Sequence, residues 1–258
     1  MPALPAPGET LLVQGTRREA GGKGGNQAVA LARLGSTVSF VSAVGADGDG
    51  TWSLEQLRAE GVDVSGVAVV DAPTGLAVVL VDPRGENSIV VSAGANAHVT
   101  SPERLDADVL LLSLEVPLDA VAAAARTARR GGVPVVLNTA PAHDLPAELL
   151  ADVDVLVVNE TEWDALGRRA PGTVVVTRGG EGCLVVAGGE ERSFPAVPVE
   201  VVDTTGAGDC FAAALAWGIG SRAPLEEAVR FASRAAALSV TAHGARGGLP
   251  RYAEVAGA

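Results

Sequence analysis

Short, unbroken Val/Leu runs alternate with Ala-rich stretches of helical period along most of this chain. The runs TVSFVSAVG (37–45), DVLLLSL (108–114), VPVVLNTA (133–140), DVLVVN (154–159), TVVVTRGG (173–180) and GCLVVAG (182–188) predict strands. Because most of them are continuous rather than alternating, they read as strands buried on both faces. Helices are expected at 25–34, 51–60, 117–130, 160–167, 206–219 and 224–242. Pro117 near a helix start and Gly131 just past its end fit the favoured asymmetry. Such alternation makes an α/β domain with a mostly parallel central sheet.

Two segments depart from that rhythm. Residues 74–96 hold two apolar runs joined by Asp82-Pro83-Arg84-Gly85, which predicts a β-hairpin. Residues 9–22 are similarly strand-like, with no helix following. Together they are expected to form a small β-sheet standing off the main sheet as a lid.

Composition narrows the class. A chain of 258 residues, 48% hydrophobic, can bury one large core, and no linker or repeat divides it, so 1–258 reads as one domain. The net charge of −12 argues against a nucleic-acid partner. No apolar run approaches the roughly 20 residues that cross a bilayer, which argues against a membrane partner. The N-terminus lacks the order of a signal peptide, and two cysteines, Cys183 and Cys210, are too few for a disulfide framework; a cytoplasmic location is expected. His98, His143 and His243 share no metal-like spacing.

The stretch VEVVDTTGAGDCFAAALAWGIG (199–220) carries the chemistry. An apolar run ends at Asp203, Gly206-Ala207-Gly208 follow, and Asp209 opens a helix. Glycines there uncover backbone N–H groups at a helix N-terminus, where the dipole favours an anion. A carboxylate beside that anion is poor design for binding alone. It suits a base that takes a proton from a hydroxyl attacking a phosphoryl group held by the amides. The residues alone leave a second reading open, in which Asp209 only favours the helix start and the glycines only turn the chain.

Lys23, the single lysine, lies in AGGKGGNQAVALARLG (20–35). This is no P-loop: Gly24 follows the lysine, and Arg17 stands where the first glycine belongs. DTTGAGDCF (203–211) resembles the C-terminal signature of the PfkB-type, ribokinase-like carbohydrate kinases, and residues 20–35 resemble their N-terminal signature. Six further blocks are similar in content and order: PAPGET (5–10), GENSIVVSAGAN (85–96), LEVPLD (114–119), NTAPAHDLPAELL (138–150), NETEWDALG (159–167) and TRGGEG (177–182).

The resemblance implies a three-layer αβα ribokinase-like fold and ATP-dependent phosphorylation of a sugar primary hydroxyl. The 85–96 and 138–146 blocks tilt the expectation toward D-ribose, with fructose or a nucleoside as alternatives. It implies Asp209 as catalytic base with Gly206, Ala207 and Gly208 stabilising the developing charge. It places Gly22, Lys23, Gly24, Gly25, Asn26, Glu115 and Asp209 at the sugar. ATP would meet Asn159, Thr177, Arg178, Gly179, Gly180, Glu181, Gly182, Gly208, Asp209 and Ser233. Glu162 would hold Mg²⁺, through water. Asp203, Thr205, Ser239, Ala242, Gly244 and Gly248 match an activating K⁺ site, and the lid would pair two subunits as a homodimer. The residues also permit other roles: Glu115 as a helix N-terminal carboxylate, and Asn159 with Glu162 as a capping box.

The chain departs from the family pattern at its start. Members begin with a buried apolar strand whose Asn and Asp grip sugar hydroxyls, and here the sequence opens at MPALPAPGET. Either the reading frame extends upstream, or sugar affinity is impaired and a non-catalytic descendant becomes the rival reading. Neighbouring strands would then expose ladder groups. A milder contraction falls at GRRAPG (167–172).

Overall fold

The computed structural model describes residues 5–6, 8–13, 15–81, 87–140, 144–168 and 172–257. The first half contains α1 (Lys23–Arg33), β1 (Ser42–Gly45), α2 (Gly48–Ala59), β2 (Val67–Val70), β3 (Leu76–Val81), β4 (Asn87–Ser92), β5 (Leu110–Ser113) and α3 (Leu118–Gly131). The second half adds β6 (Val135–Asn138), α4 (Ala147–Ala151), β7 (Val155–Asn159), α5 (Glu160–Ala165), β8 (Thr173–Thr177), β9 (Cys183–Ala187) and β10 (Glu190–Phe194). It ends with α6 (Ala207–Gly220), α7 (Leu225–Ser239) and α8 (Tyr252–Ala256).

The central sheet has six strands in the order β10-β9-β8-β7-β6-β5. Strands β5 to β8 are parallel, while β9 and β10 turn back antiparallel, so the sheet is mixed. Its continuous apolar runs alternate between two cores. Val136, Val155, Val157, Val175 and Val185 face one cluster with α1, α6 and α7. Val135, Leu137, Leu156, Val158, Val174 and Val176 face the other, with α3, α4 and Trp163. Each side chain buried this way contributes about 1.5–3 kcal/mol relative to exposure, which requires helices on both faces. The three-layer expectation holds.

Two expectations are corrected. Residues 9–22 contain no strand among those described, and β3 pairs only with β4, in the register Val78↔Val90. The apolar run at 11–13 finds no partner edge, and Leu12 is 93% exposed. Of the two segments expected in the small β-sheet, only 74–96 forms one among the described residues, as the β3–β4 pair; its expected turn, Asp82 to Gly85, lies outside the described residues. The run at 37–45 narrows to β1, preceded by a single bridge from Ser39 to Asp63.

β1 pairs with β2 alone, and β5 with β6 alone. Their other edges line one cavity of about 1060 Å³, walled by residues including Phe40 to Val44 and Val109 to Ser113. Among the described residues the main sheet and the β1–β2 pair are thus separate sheets.

Candidate active site

The C-terminal ends of the parallel strands deliver Glu115 after β5, Thr139 after β6, Asn159 at the end of β7 and Thr177 at the end of β8. Ligands in open α/β sheets bind at this edge. The N-terminus of α1 joins it: the Glu115 carboxylate accepts from the Lys23 amide at 2.8 Å. Gly22, the N-cap of α1, has φ 79° and no side chain to cap the helix, so Glu115 supplies the anion. The open alternative for Glu115 is therefore met in a changed form: it serves the start of α1, not of its own helix.

α6 brings Asp209 to the same place. Gly206 caps α6 at φ 78°, and a Cβ there would lie 2.8 Å from the Ala245 carbonyl. Asp209 is buried, and its Oδ2 accepts from Asn26 Nδ2 at 2.9 Å. Its Oδ1 is buried without a hydrogen-bond partner, as is Gln27 Nε2 nearby. Burial pushes the Asp209 carboxyl above its ordinary range; the Lys23 charge and the Asn26 donor oppose this, Glu115 adds to it, and Gln27 opposes it more weakly. An acid raised in this way at a helix N-terminus is suited to accept a proton.

The glycine turn is corrected in one detail. The Ala207 amide is turned to the Thr204 carbonyl at 3.2 Å and is spent on the bend. Helix geometry leaves the amides of Gly208 and Asp209 without intrahelical acceptors, at the helix end where the dipole favours an anion.

Asn159 and Glu162 form a capping box. Glu162 N donates to Asn159 Oδ1 at 2.8 Å, and Asn159 N donates to Glu162 Oε2 at 2.9 Å. Thr139 Oγ1 donates to the same Oε2 at 2.9 Å, so the buried Glu162 is held by β6, β7 and α5 together. The sequence did not single out Thr139.

Residues Thr177 to Gly182 form a tight loop between β8 and β9, closed by Arg178 N donating to Gly182 O at 2.8 Å. Ser233 on α7 stands 4.0 Å from Cys183, which joins the two expected parts of the nucleotide region; its hydroxyl donates to Val229 O.

Asp203 Oδ1 accepts from Thr205 N and Oδ2 from Gly244 N, each at 2.9 Å. Burial opposes its ionisation, but these amides hold the carboxyl below its ordinary range. Gly248 approaches so closely that a Cβ would lie 2.2 Å from Ser239 O. Contacts thus join the loop of Asp203 and Thr205 to Gly244, and Ser239 to Gly248, five of the six residues expected at the cation site.

A sequence model of the pfkB family of carbohydrate kinases matches residues 2–251. The chain belongs to this family. A ribokinase from Haemophilus influenzae is 37% identical over 98% of this chain and 92% of its own length. One from Bacillus subtilis is 39% identical, over 97% and 91%. Among solved structures, Arabidopsis thaliana ribokinase complexed with ribose and ATP superposes with a TM-score of 0.88 at 34% identity, covering 99% of this chain and 92% of that one. Thermotoga maritima ribokinase gives 0.90 at 33%, covering 99% and 93%. Asp209, Asn26, Lys23 and Glu115 thus cluster at the N-termini of α1 and α6, and Asn159 with Glu162 stands at the C-terminal end of β7. No helix among the described residues is long and apolar enough to cross a membrane.

Proposed function

We propose that this chain transfers the γ-phosphoryl group of ATP to the primary hydroxyl of D-ribose, giving D-ribose 5-phosphate and ADP. One observation carries the reading: Asp209 is buried at a helix N-terminus with Oδ2 tied to Asn26 and Oδ1 unpaired.

The backbone of Gly22, Gly24 and Gly25 gives a polyol close access, while Lys23 and Glu115 bracket its hydroxyls. Asn26 keeps one N–H and one lone pair for the sugar. The Asp209 carboxylate accepts the hydroxyl proton as the hydroxyl oxygen forms its bond to phosphorus, and the bond to the ADP oxygen breaks. The amides of Gly208 and Asp209 meet the charge on the transferring group. ATP lies along Asn159 and Thr177 to Gly182, with Ser233 beside the base.

Glu162, with Asn159, would hold Mg²⁺ through water, and when bound the ion neutralises phosphate charge. Its Oε2 is fully engaged by protein donors, which fits an indirect role. The converging loops around Asp203 would hold K⁺. The apolar hairpin would close over the sugar and pair two subunits, and the buried free thiols of Cys183 and Cys210 suit a reducing cytoplasm.

A coupled ADP-release assay with ribose, fructose, deoxyribose and nucleosides tests the reading. Ribose is expected to give the highest kcat/KM. Asp209→Asn is expected to lose about 10²- to 10⁴-fold in kcat while ATP binding persists. Near-normal turnover in that variant would overturn the assignment of the base.

A further inference from the structure

We infer that Arg246 is a positioning residue for the catalytic carboxylate, acting through the side-chain amide of Asn26. Arg246 lies in the loop after α7, 220 residues from Asn26, and its Nε donates to Asn26 Oδ1 at 3.0 Å. Its second arm donates to Gly21 O at 3.0 Å, just ahead of α1. Gly25 leaves the space: a Cβ there would lie 2.6 Å from an Arg246 terminal nitrogen.

A guanidinium has five donors and no acceptor. It therefore fixes which end of the Asn26 amide faces it. Oδ1 must point to Arg246, so Nδ2 must point to Asp209 Oδ2. Were the amide to turn over, its oxygen would face a carboxylate, an arrangement stable only with Asp209 protonated. Arg246 thus keeps a donor, and not an acceptor, against the Asp209 carboxylate.

The placement costs something. Burial lowers the proton affinity of Arg246, Arg33 lowers it further, and only Glu60 and Asp209 oppose this. A cation also stands at the positive end of α1. Its loop is pinned all the same: Arg33 Nη1 donates to the carbonyls of Arg246 and Leu249 at 2.8 and 3.1 Å, and Arg33 is itself paired with Glu60. Other charged or polar groups facing Asp209 are Lys23 and Gln27 from α1 and Glu115 from the turn after β5, while Cys210 follows it on α6.

The inference rests on Asp209 being the base, and the experiment separates the two. The pH profiles of kcat and kcat/KM for ribose are measured for wild type, Arg246→Met, Arg246→Gln and Asp209→Asn, with a thermal melt of each. Arg246→Met should move the acid limb upward by about one pH unit, so that the loss grows to about tenfold down the acid limb and is recovered on the alkaline plateau. Arg246→Gln retains one donor without the charge, and its limb should fall between the two. An acid limb that stays in place in whichever of these variants folds overturns the inference, as does a loss equal at every pH. Turnover persisting in Asp209→Asn removes the base assignment instead, whatever the Arg246 variants do.

Discussion

The Glu115 carboxylate caps the first turn of α1 by accepting from the Lys23 amide at 2.8 Å, across 92 positions of sequence. One side chain thereby fixes the helix that presents Lys23 and Asn26, and in the proposed function it also stands at the sugar. Glu115→Ala removes both functions. It is expected to cost about 1–2 kcal/mol of stability through the lost charged hydrogen bond, and to raise KM for ribose more than it lowers kcat. Glu115→Gln keeps a neutral acceptor and should recover most of the stability but little of the affinity. Thermal melts and ribose titrations check the pair; equal KM in wild type and both variants would remove Glu115 from the sugar.

Asp209 should act against stability where it acts for catalysis. Burial raises its folded pKa above the unfolded carboxyl value, so the folded state binds more protons between the two. Stability therefore falls as pH rises through that window, and the penalty is full above the folded pKa. Asp209→Asn is expected to raise Tm at pH 8, with the gain shrinking toward pH 4. A Tm difference of the opposite sign, or one independent of pH, contradicts the burial of this charge.

Much of this arrangement could be read from local sequence. The Val/Leu runs at 154–159 and 173–177 announce strands covered on both faces, and Gly206-Ala207-Gly208-Asp209 announces a bare helix N-terminus. Asn159 and Glu162 carry their capping box in their own spacing. What escaped depends on partners distant in sequence. Residues 9–22 have strand-like composition but no edge to pair with, and composition cannot supply one. Strand β10, EERSF, is polar because it lies at the sheet edge, so the apolar signal fails there. Arg246 sits in an unremarkable ARGG stretch, and only the packing of Gly25 against it gives it a role.

Gly206 joins the transfer loop to the loop of the expected cation site. Its φ of 78° and the Ala245 carbonyl, 2.8 Å from any added Cβ, forbid a side chain without movement. Gly206→Ala is expected to destabilise the fold by about 1–3 kcal/mol and to depress kcat more than KM for ATP. Chemical denaturation together with initial rates at varied KCl checks this. An alanine variant with wild-type stability would show that the bend tolerates a side chain.

The β3–β4 hairpin exposes apolar side chains on both of its faces, with Val78 and Val90 on one and Val79, Ile89 and Val91 on the other. Each of these five is about half exposed or more, a concentration that isolated soluble surfaces seldom carry. A lid that shuts on sugar with one face and meets a second subunit with the other accounts for both. Placing a charge on each face in turn, Val90→Glu and Ile89→Glu, should then have unlike effects. The wild type is expected to sediment as a dimer and one of the variants as a monomer. The other should remain dimeric while KM for ribose rises about tenfold or more, since a buried unpaired charge is costly. A wild-type chain that sediments as a monomer at micromolar concentration, or two variants that both stay dimeric with unchanged KM, would rule out this use of the hairpin.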